Sequence, residues 1–446
     1  MIFEENENYT LHLGNCLDIL DTFEENSIDC IITDPPYEIG FMGCKWDNTG
    51  IVYRKETWEK CLRVLKPGGY LLCFGAPRNF HRVFCAIEDA GFEIRDTIMW
   101  IFGEGFPKGQ DLGKSIEAKL TVGSSNTKDF KHLNGDKIIS KSTGYSKMNF
   151  DHGNRPEHYT GKETTTNVKL SNPIAKQYEG WNSALKPAYE PIMVARKPFK
   201  GSLTENVINR GVGGLNIGEC RIDFINDKDK KITVDKNQYW DKSDAESDIY
   251  SKYEGKRDYT EKLGGRFPAN VILTHDESDY DEVCGGFPNS KSTGGKGEKT
   301  VKSGLSGNVY NGGWSHEKSS DHIGGLGDEG SNARFFKNCE YTEKDYEDIR
   351  RYFYCPKASK TDRNEGCYKN NHPTVKPSNL LKYLIRLVAP KGAVILDPFN
   401  GSGSTGKAVM LENKERNKNY KYIGIDLSKE YLEISKGRID YILGGS

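Results

Sequence analysis

The chain holds no apolar run long enough to cross a bilayer, and its mean hydropathy is -0.70, which argues against a membrane-spanning protein. Neither sign of charge prevails: the formal net charge is -1. A globally basic nucleic-acid binder is therefore excluded, and any such partner must be held by local patches. The 11 cysteines are odd in number and share no repeating spacing. They read as free thiols in a reducing compartment, with Cys30, Cys73 and Cys85 expected inside because each sits in an apolar run. The opening MIFEENENYT has no apolar core, so a leader peptide is not expected and the protein is expected to be cytoplasmic. There is no internal repeat.

What is present is a dense α/β pattern at both ends of 446 residues. SIDCIITD and YLLCFG read as buried strands, and DTIMWIFG as a third. WEKCLRVLKPGG places Trp58, Cys61, Leu62 and Leu65 on one helical face and is expected to stop at Pro67-Gly68-Gly69. A second helix carries Phe80, Val83, Phe84 and Ile87 and ends at Gly91. The alternation predicts a parallel sheet with helices on both faces. Near the C-terminus VKPSNLLKYLIRLV is a helix with Leu380, Leu381, Leu384, Ile385 and Val388 inward. GAVILDPF is a strand, SGSTGKAVML opens a helix, and KYIGIDLS is a strand. The middle is loop-rich and carries much of the excess of the 48 glycines. The expected division is 1–110, N-terminal catalytic part; 111–188, basic insertion; 189–199, a strand of the same sheet (YEPIMVARKP); 200–365, a second insertion; 366–446, C-terminal catalytic part. That much irregular chain inside one domain points to a functional insertion.

Two motifs carry chemistry. DPFNGSGSTG (397–406) follows a strand and opens a helix; its glycines permit close backbone approach to a ligand, and a helix N-terminus favours negative groups. About twenty residues on, Asp426 ends the next strand, where an acid can accept from ribose hydroxyls. No phosphate-cradling G-x-x-x-x-G-K-[ST] spacing occurs, and the loop is no clean G-x-G-x-x-G. A cofactor with ribose and adenine but no pyrophosphate fits better, and S-adenosylmethionine is one. The second motif is Asp34-Pro35-Pro36-Tyr37, placed after the strand SIDCIIT. The two prolines fix φ and stiffen the loop. Asp34 and the Pro35 carbonyl can each accept one N–H of an exocyclic amine, turning its lone pair toward an electrophilic methyl group without a strong base. Tyr37 offers a flat face for a base taken out of its helix.

DPPY together with DPFxGSGST resembles the DNA amino-methyltransferases that modify adenine N6 or cytosine N4. The order of the motifs, with a long insertion between them, is similar to the beta class and to site-specific enzymes of phage and bacteria. The resemblance is strong over roughly 10–110 and 355–435. It implies a Rossmann-like α/β methyltransferase sheet interrupted by a target-recognition region at 200–365. It further implies that Asp18 (in LHLGNCLDIL) lies near the cofactor pocket, and that Thr374 and Lys376 (in HPTVKPSNLL) face the cofactor carboxylate. With Asp34, Asp397, Phe399, Gly401, Gly403, Ser404 and Asp426, these are the expected cofactor residues, and Asp34, Pro35, Pro36 and Tyr37 the catalytic ones. Family members with Asp at the first catalytic position are mostly adenine-N6 enzymes and those with Ser mostly cytosine-N4. Adenine N6 in double-stranded DNA is therefore the expected target, with cytosine N4 the nearest alternative and RNA or a protein amide more distant. A cognate restriction endonuclease is a candidate partner, and the state is monomer or homodimer.

Cys355, Cys367 and His372 invite a metal, but the spacing lacks C-x-x-C and no fourth ligand stands out, so none is expected. Phe41, Met42 and Trp46 either line a base pocket or pack their own loop. Arg196, Lys197 and Lys200 are candidates for phosphate contacts, or simply a solvated face.

Overall fold

The computed structural model describes residues 1–40, 45–102, 109–123, 138–145, 162–168, 170–185, 187–222, 264–274, 289–291, 329–331, 358–367 and 370–444. Phe41, Met42 and Cys355 lie outside them. The chain divides into two units, Met1–Gly214 with Pro356–Ser446, and Leu215–Cys355.

In the first unit the elements follow as β1 (Ile2–Glu5), β2 (Tyr9–Leu13), α1 (Cys16–Leu20), β3 (Ile28–Thr33), α2 (Lys55–Val64), β4 (Leu65–Phe74), α3 (Phe80–Asp89), β5 (Glu93–Phe102), α4 (Leu112–Val122), β6 (Ile138–Tyr145), β7 (Lys162–Val168), α5 (Pro173–Gln177), β8 (Tyr189–Arg196) and α6 (Leu203–Arg210). In the second unit lie β9 (Val271–Thr274) and an antiparallel pair, β10 (Asn289–Lys291) with β11 (Glu329–Ser331); Ile222 and Arg266 bridge. The first unit resumes with α7 (Lys360–Asn364), α8 (Ser378–Val388), β12 (Val394–Asp397), α9 (Ser404–Arg416), β13 (Lys421–Asp426) and α10 (Lys429–Leu443). Among the described residues no helix is long and apolar enough to cross a membrane.

The sheet of this unit runs β1-β2-β13-β12-β3-β4-β8-β5. Every residue of β3 is buried, as a central strand covered on both faces requires. Ile31, Leu71, Cys73, Leu396 and Ile425 face Leu17, Leu20, Trp58, Cys61, Val64, Val83 and Ile87 of α1 to α3. Elsewhere in the unit α8 packs on α9 and α9 on α10. The sheet is thus α/β as expected, but it is mixed rather than parallel. From β2 to β4 the neighbours are parallel, whereas β8 runs antiparallel to both β4 and β5 and β1 antiparallel to β2. The chain reaches β8 after a long excursion instead of a single crossover helix, so nothing imposes the parallel direction. β6 and β7 form a separate antiparallel ribbon.

Two local expectations need correction. Cys85 is exposed, on the outer side of α3, while Cys30 and Cys73 are buried. Helix α2 ends at Val64, and Pro67-Gly68-Gly69 lies within β4, where the pairing with β3 slips between Ile28 and Cys30. Gly68 adopts φ +89°, and its N–H donates to the Lys197 carbonyl at 2.9 Å. A Cβ there would stand 2.1 Å from Asn206 Nδ2. Asn206 comes from α6 and donates to the carbonyls of Pro67 (3.0 Å) and Val212 (2.8 Å), so it cannot swing aside without losing both bonds. Gly68→Ala is therefore expected to destabilise by about 1–3 kcal/mol, read as a lower urea midpoint at unchanged slope. An unchanged midpoint contradicts this packing.

Candidate active site

β3 and β12 are parallel neighbours, with Ile395 opposite Cys30 and Leu396 opposite Ile31. The loops that leave their C-terminal ends therefore start from one edge of the sheet. Thr33 Oγ1, at the end of β3, donates to Asp397 Oδ1, at the end of β12, at 2.7 Å. Asp397 also accepts from Thr405 Oγ1 (2.9 Å) and from the Phe399 N–H (3.1 Å). Burial pushes its carboxyl up to about 7, against the pull of these three donors.

Asp34-Pro35-Pro36-Tyr37 continues from Thr33, with Pro35 buried. The chain beyond is fastened by Asp47, itself buried, whose carboxylate accepts the N–H of Glu38 (2.8 Å) and of Ile39 (3.3 Å). Glu38 is thereby held in the left-handed region at φ +52°. Asn79, after β4, donates through Nδ2 to the carbonyl of Tyr37. At the centre stands Lys376, 7% exposed. Its ammonium is 2.6 Å from Asp34 Oδ2, 3.1 Å from the Tyr37 hydroxyl and 3.4 Å from Glu190 Oε2. The Tyr37 hydroxyl in turn donates to Glu190 Oε2 at 2.9 Å. Burial outweighs Lys376 and lifts the Asp34 carboxyl above the usual carboxylate value. Burial also works against the Lys376 ammonium, yet Asp34 and Glu190 hold its pKa above that of an ordinary lysine. Asp34 Oδ1 is buried and has no hydrogen-bond partner.

The glycine loop is fixed from three sides. Gly401 and Gly403 take φ +51° and +70°, and a Cβ at either would meet His372 Nε2 at 2.9 Å or Ser435 Oγ at 2.1 Å. Asp426, at the end of β13, accepts the Gly401 N–H at 2.7 Å and the Ser428 N–H at 2.8 Å. Burial lifts its carboxyl to about 6. Arg438 of α10, fully buried, donates to the Ser402 carbonyl (2.7 Å) and to the hydroxyls of Ser402 and Ser404 (both 3.1 Å). Beneath the loop Lys407 pairs with Asp362 at 2.9 Å and Glu365 at 2.8 Å. Burial works against the Asp362 carboxylate, but Lys407 and Ser378 hold its pKa below the usual value.

The two motifs thus share a sheet edge, and Lys376 reaches the first of them rather than standing apart with Thr374. Thr374 is exposed, its carbonyl 2.7 Å from His372 Nδ1. Phe399 is half-buried, its ring centroid 6.4 Å from that of Trp58. Asp18 is exposed in the first turn of α1, and the Gly14 N–H just before that helix donates to the Asp426 carbonyl at 2.9 Å. Trp46 stacks on His372, with centroids 6.4 Å apart and planes at 22°. Burial drives the His372 imidazole down to about 3, so it is neutral near pH 7. The Cys367 thiol donates to the Asn364 carbonyl at 3.3 Å. Sequence reasoning missed Glu190, Asp47, Asn79 and Arg438. Only Glu190 left a signal, as an acid set directly before a proline at the head of an apolar strand.

The sequence profile of the DNA methylase family matches residues 28–437. Type II methyltransferase M.HpaI of Haemophilus parainfluenzae is 27% identical over 233 residues, 48% of this chain and 72% of that protein. Type II methyltransferase M2.MboI of Moraxella bovis is 41% identical, over 22% of this chain and 30% of that protein. DNA adenine methyltransferase YhdJ of Escherichia coli K12 is 39% identical, over 16% of this chain and 22% of that protein. Among solved structures, the cytosine-N4-specific PvuII DNA methyltransferase aligns over 100% of this chain and 98% of its own at 12% identity and TM-score 0.38, a likeness too slight to carry an argument. The profile match, spanning both loops at the sheet edge, makes the chain a member of the DNA methylase family of N6/N4 amino-methyltransferases.

Proposed function

We propose that this enzyme transfers a methyl group from S-adenosylmethionine to adenine N6 at a specific sequence in duplex DNA. The observation that carries the reading is Asp34 Oδ1, a buried carboxylate oxygen without a partner at the head of the catalytic loop. Such an oxygen is costly to leave unmet, and the N–H of an exocyclic amine meets it. The cofactor supplies an electrophilic methyl group. Asp34 and the Pro35 carbonyl hold the amine so that its lone pair faces that methyl, and Tyr37 stacks on the flipped base. The left-handed turn at Gly401 and Gly403, the N-terminus of α9 at Ser404 and the acid Asp426 fit a nucleoside whose backbone contacts are close. With Asp18, Thr374, Asp397 and Phe399, these residues are the proposed cofactor pocket. Lys376 is treated below.

Asp rather than Ser at position 34 supports adenine, as does the printed name of YhdJ, a DNA adenine methyltransferase. The names of M.HpaI and M2.MboI, type II methyltransferases, support a modification role beside a cognate endonuclease. Region 200–365 is the proposed reader of the DNA sequence. Cytosine N4 on the same scaffold is the second reading.

Two measurements test this. Duplex DNA treated with enzyme and labelled S-adenosylmethionine, digested and resolved by mass spectrometry, is expected to yield N6-methyladenine; N4-methylcytosine would transfer the case to the second reading, and no labelled nucleoside would end both. Asp34→Ala is expected to bind S-adenosylmethionine within a few-fold of the wild type while its turnover falls by about 10²–10³ or more. Near wild-type turnover in that variant contradicts the assigned role.

A further inference from the structure

Lys376 stands in a segment that the family resemblance assigns to the cofactor carboxylate, yet its contacts point the other way. A lysine ammonium has three N–H donors and no acceptor. Three acceptors surround this one: Asp34 Oδ2 at 2.6 Å, the Tyr37 hydroxyl at 3.1 Å and Glu190 Oε2 at 3.4 Å. The ammonium also sits 5.1 Å from the ring centroid of Tyr37 and 5.0 Å from that of Phe74. Two of its three donors are thus hydrogen-bonded and Glu190 stands within ion-pair distance, and a buried charge leaves such partners only at a large cost.

The same contacts decide which atoms remain for a substrate. Lys376 takes Asp34 Oδ2, leaving Oδ1 without a partner. The Tyr37 hydroxyl accepts from Lys376 and donates its proton to Glu190, so the ring face is what Tyr37 has left to offer. Glu190 fixes the phenol and shares the ammonium. We propose that Lys376 and Glu190 are positioning residues for methyl transfer: together they turn Asp34 Oδ1 and the Tyr37 ring toward the base, and Lys376 does not hold the cofactor. The inference rests on the proposed methyl transfer to a DNA base.

A charge frame of this kind leaves a mark in the pH dependence. The charged and titratable groups facing Asp34 are Lys376, Glu190, Tyr37, Cys73 and Asp397. Of these Glu190 raises the Asp34 pKa and Lys376 lowers it, both acting behind the larger effect of burial. A raised Asp34 pKa means that the active carboxylate is lost as pH falls through it. Removing the Glu190 charge must therefore move the acid limb of the rate profile to lower pH, and removing the Lys376 charge must move it higher.

The test uses the full chain in three forms, wild type, Glu190→Gln and Lys376→Met, with two readouts. Calorimetric binding of S-adenosylmethionine is expected to stay within about three-fold of wild type in both variants. Single-turnover methyl transfer to duplex DNA is expected to fall at least ~100-fold in Lys376→Met and ~10-fold in Glu190→Gln, with the acid limb displaced in opposite directions. A loss of cofactor affinity of ~30-fold or more in Lys376→Met, with circular dichroism unchanged, overturns the proposal. If Lys376→Met fails to fold, Glu190→Gln decides alone, because its amide still accepts the Tyr37 proton. An acid limb that coincides with the wild type then overturns it. Failure of the wild type to methylate DNA overturns the reading of function instead, and the binding comparison still decides whether Lys376 holds the cofactor.

Discussion

The hydrogen bond from Thr33 to Asp397 joins residues 364 positions apart and marks the constraint on which the site depends, the side-by-side pairing of β3 and β12. It exists because β3 and β12 are direct parallel neighbours whose C-terminal ends finish at one level. Parallel pairing at a sheet centre sends successive loops out of the same edge, so two motifs separated by most of the chain need no further device to meet. The connecting chain can be long because closing a longer loop costs little more than closing a shorter one.

Charge completes what topology begins. Asp34, Lys376 and Glu190 come from the loop after β3, the segment before α8 and the strand β8, and Tyr37 ties them together. Two carboxylates facing one ammonium leave a net negative frame, which suits a cationic sulfonium donor in the proposed reaction. A second buried set, Lys407 with Asp362 and Glu365 together with Arg438, lies under the glycine loop. Buried ion pairs of this kind add little net stability, but breaking one partner is costly, so they serve to hold a loop in one conformation.

Much of the sheet was readable in advance. The buried runs at 28–33 and 394–397, the helix at 378–388 and the final strand at 421–426 follow from periodicity and from their turn residues. The direction of β8 was not readable, because pairing sense depends on where the intervening chain crosses and not on the strand's own residues. Pro67-Gly68-Gly69 looked like a helix stop; it is instead a slip within β4, where Gly68 makes room for Asn206 of a helix far along the chain. The Asp34–Tyr37 and glycine loops were visible as motifs. Their supports, Asp47, Asn79 and Arg438, were not, since an isolated polar residue carries no sign of a distant partner. Lys376 was visible, but its partners depend on β8, which only the fold brings beside the loop of Asp34 and Tyr37.

The proposed reaction depends on one juxtaposition, an exocyclic amine docked on Asp34 Oδ1 beside a cofactor cradled at Gly401. A crystal structure of the enzyme with duplex DNA and a non-transferable analogue of S-adenosylmethionine tests it directly. The account predicts an adenine outside the helix, its N6 hydrogen-bonded to Asp34 Oδ1 and its ring against Tyr37, with Lys376 still paired to Asp34 Oδ2. A target base held by other residues, or an analogue seated away from the Gly401 turn, would contradict it.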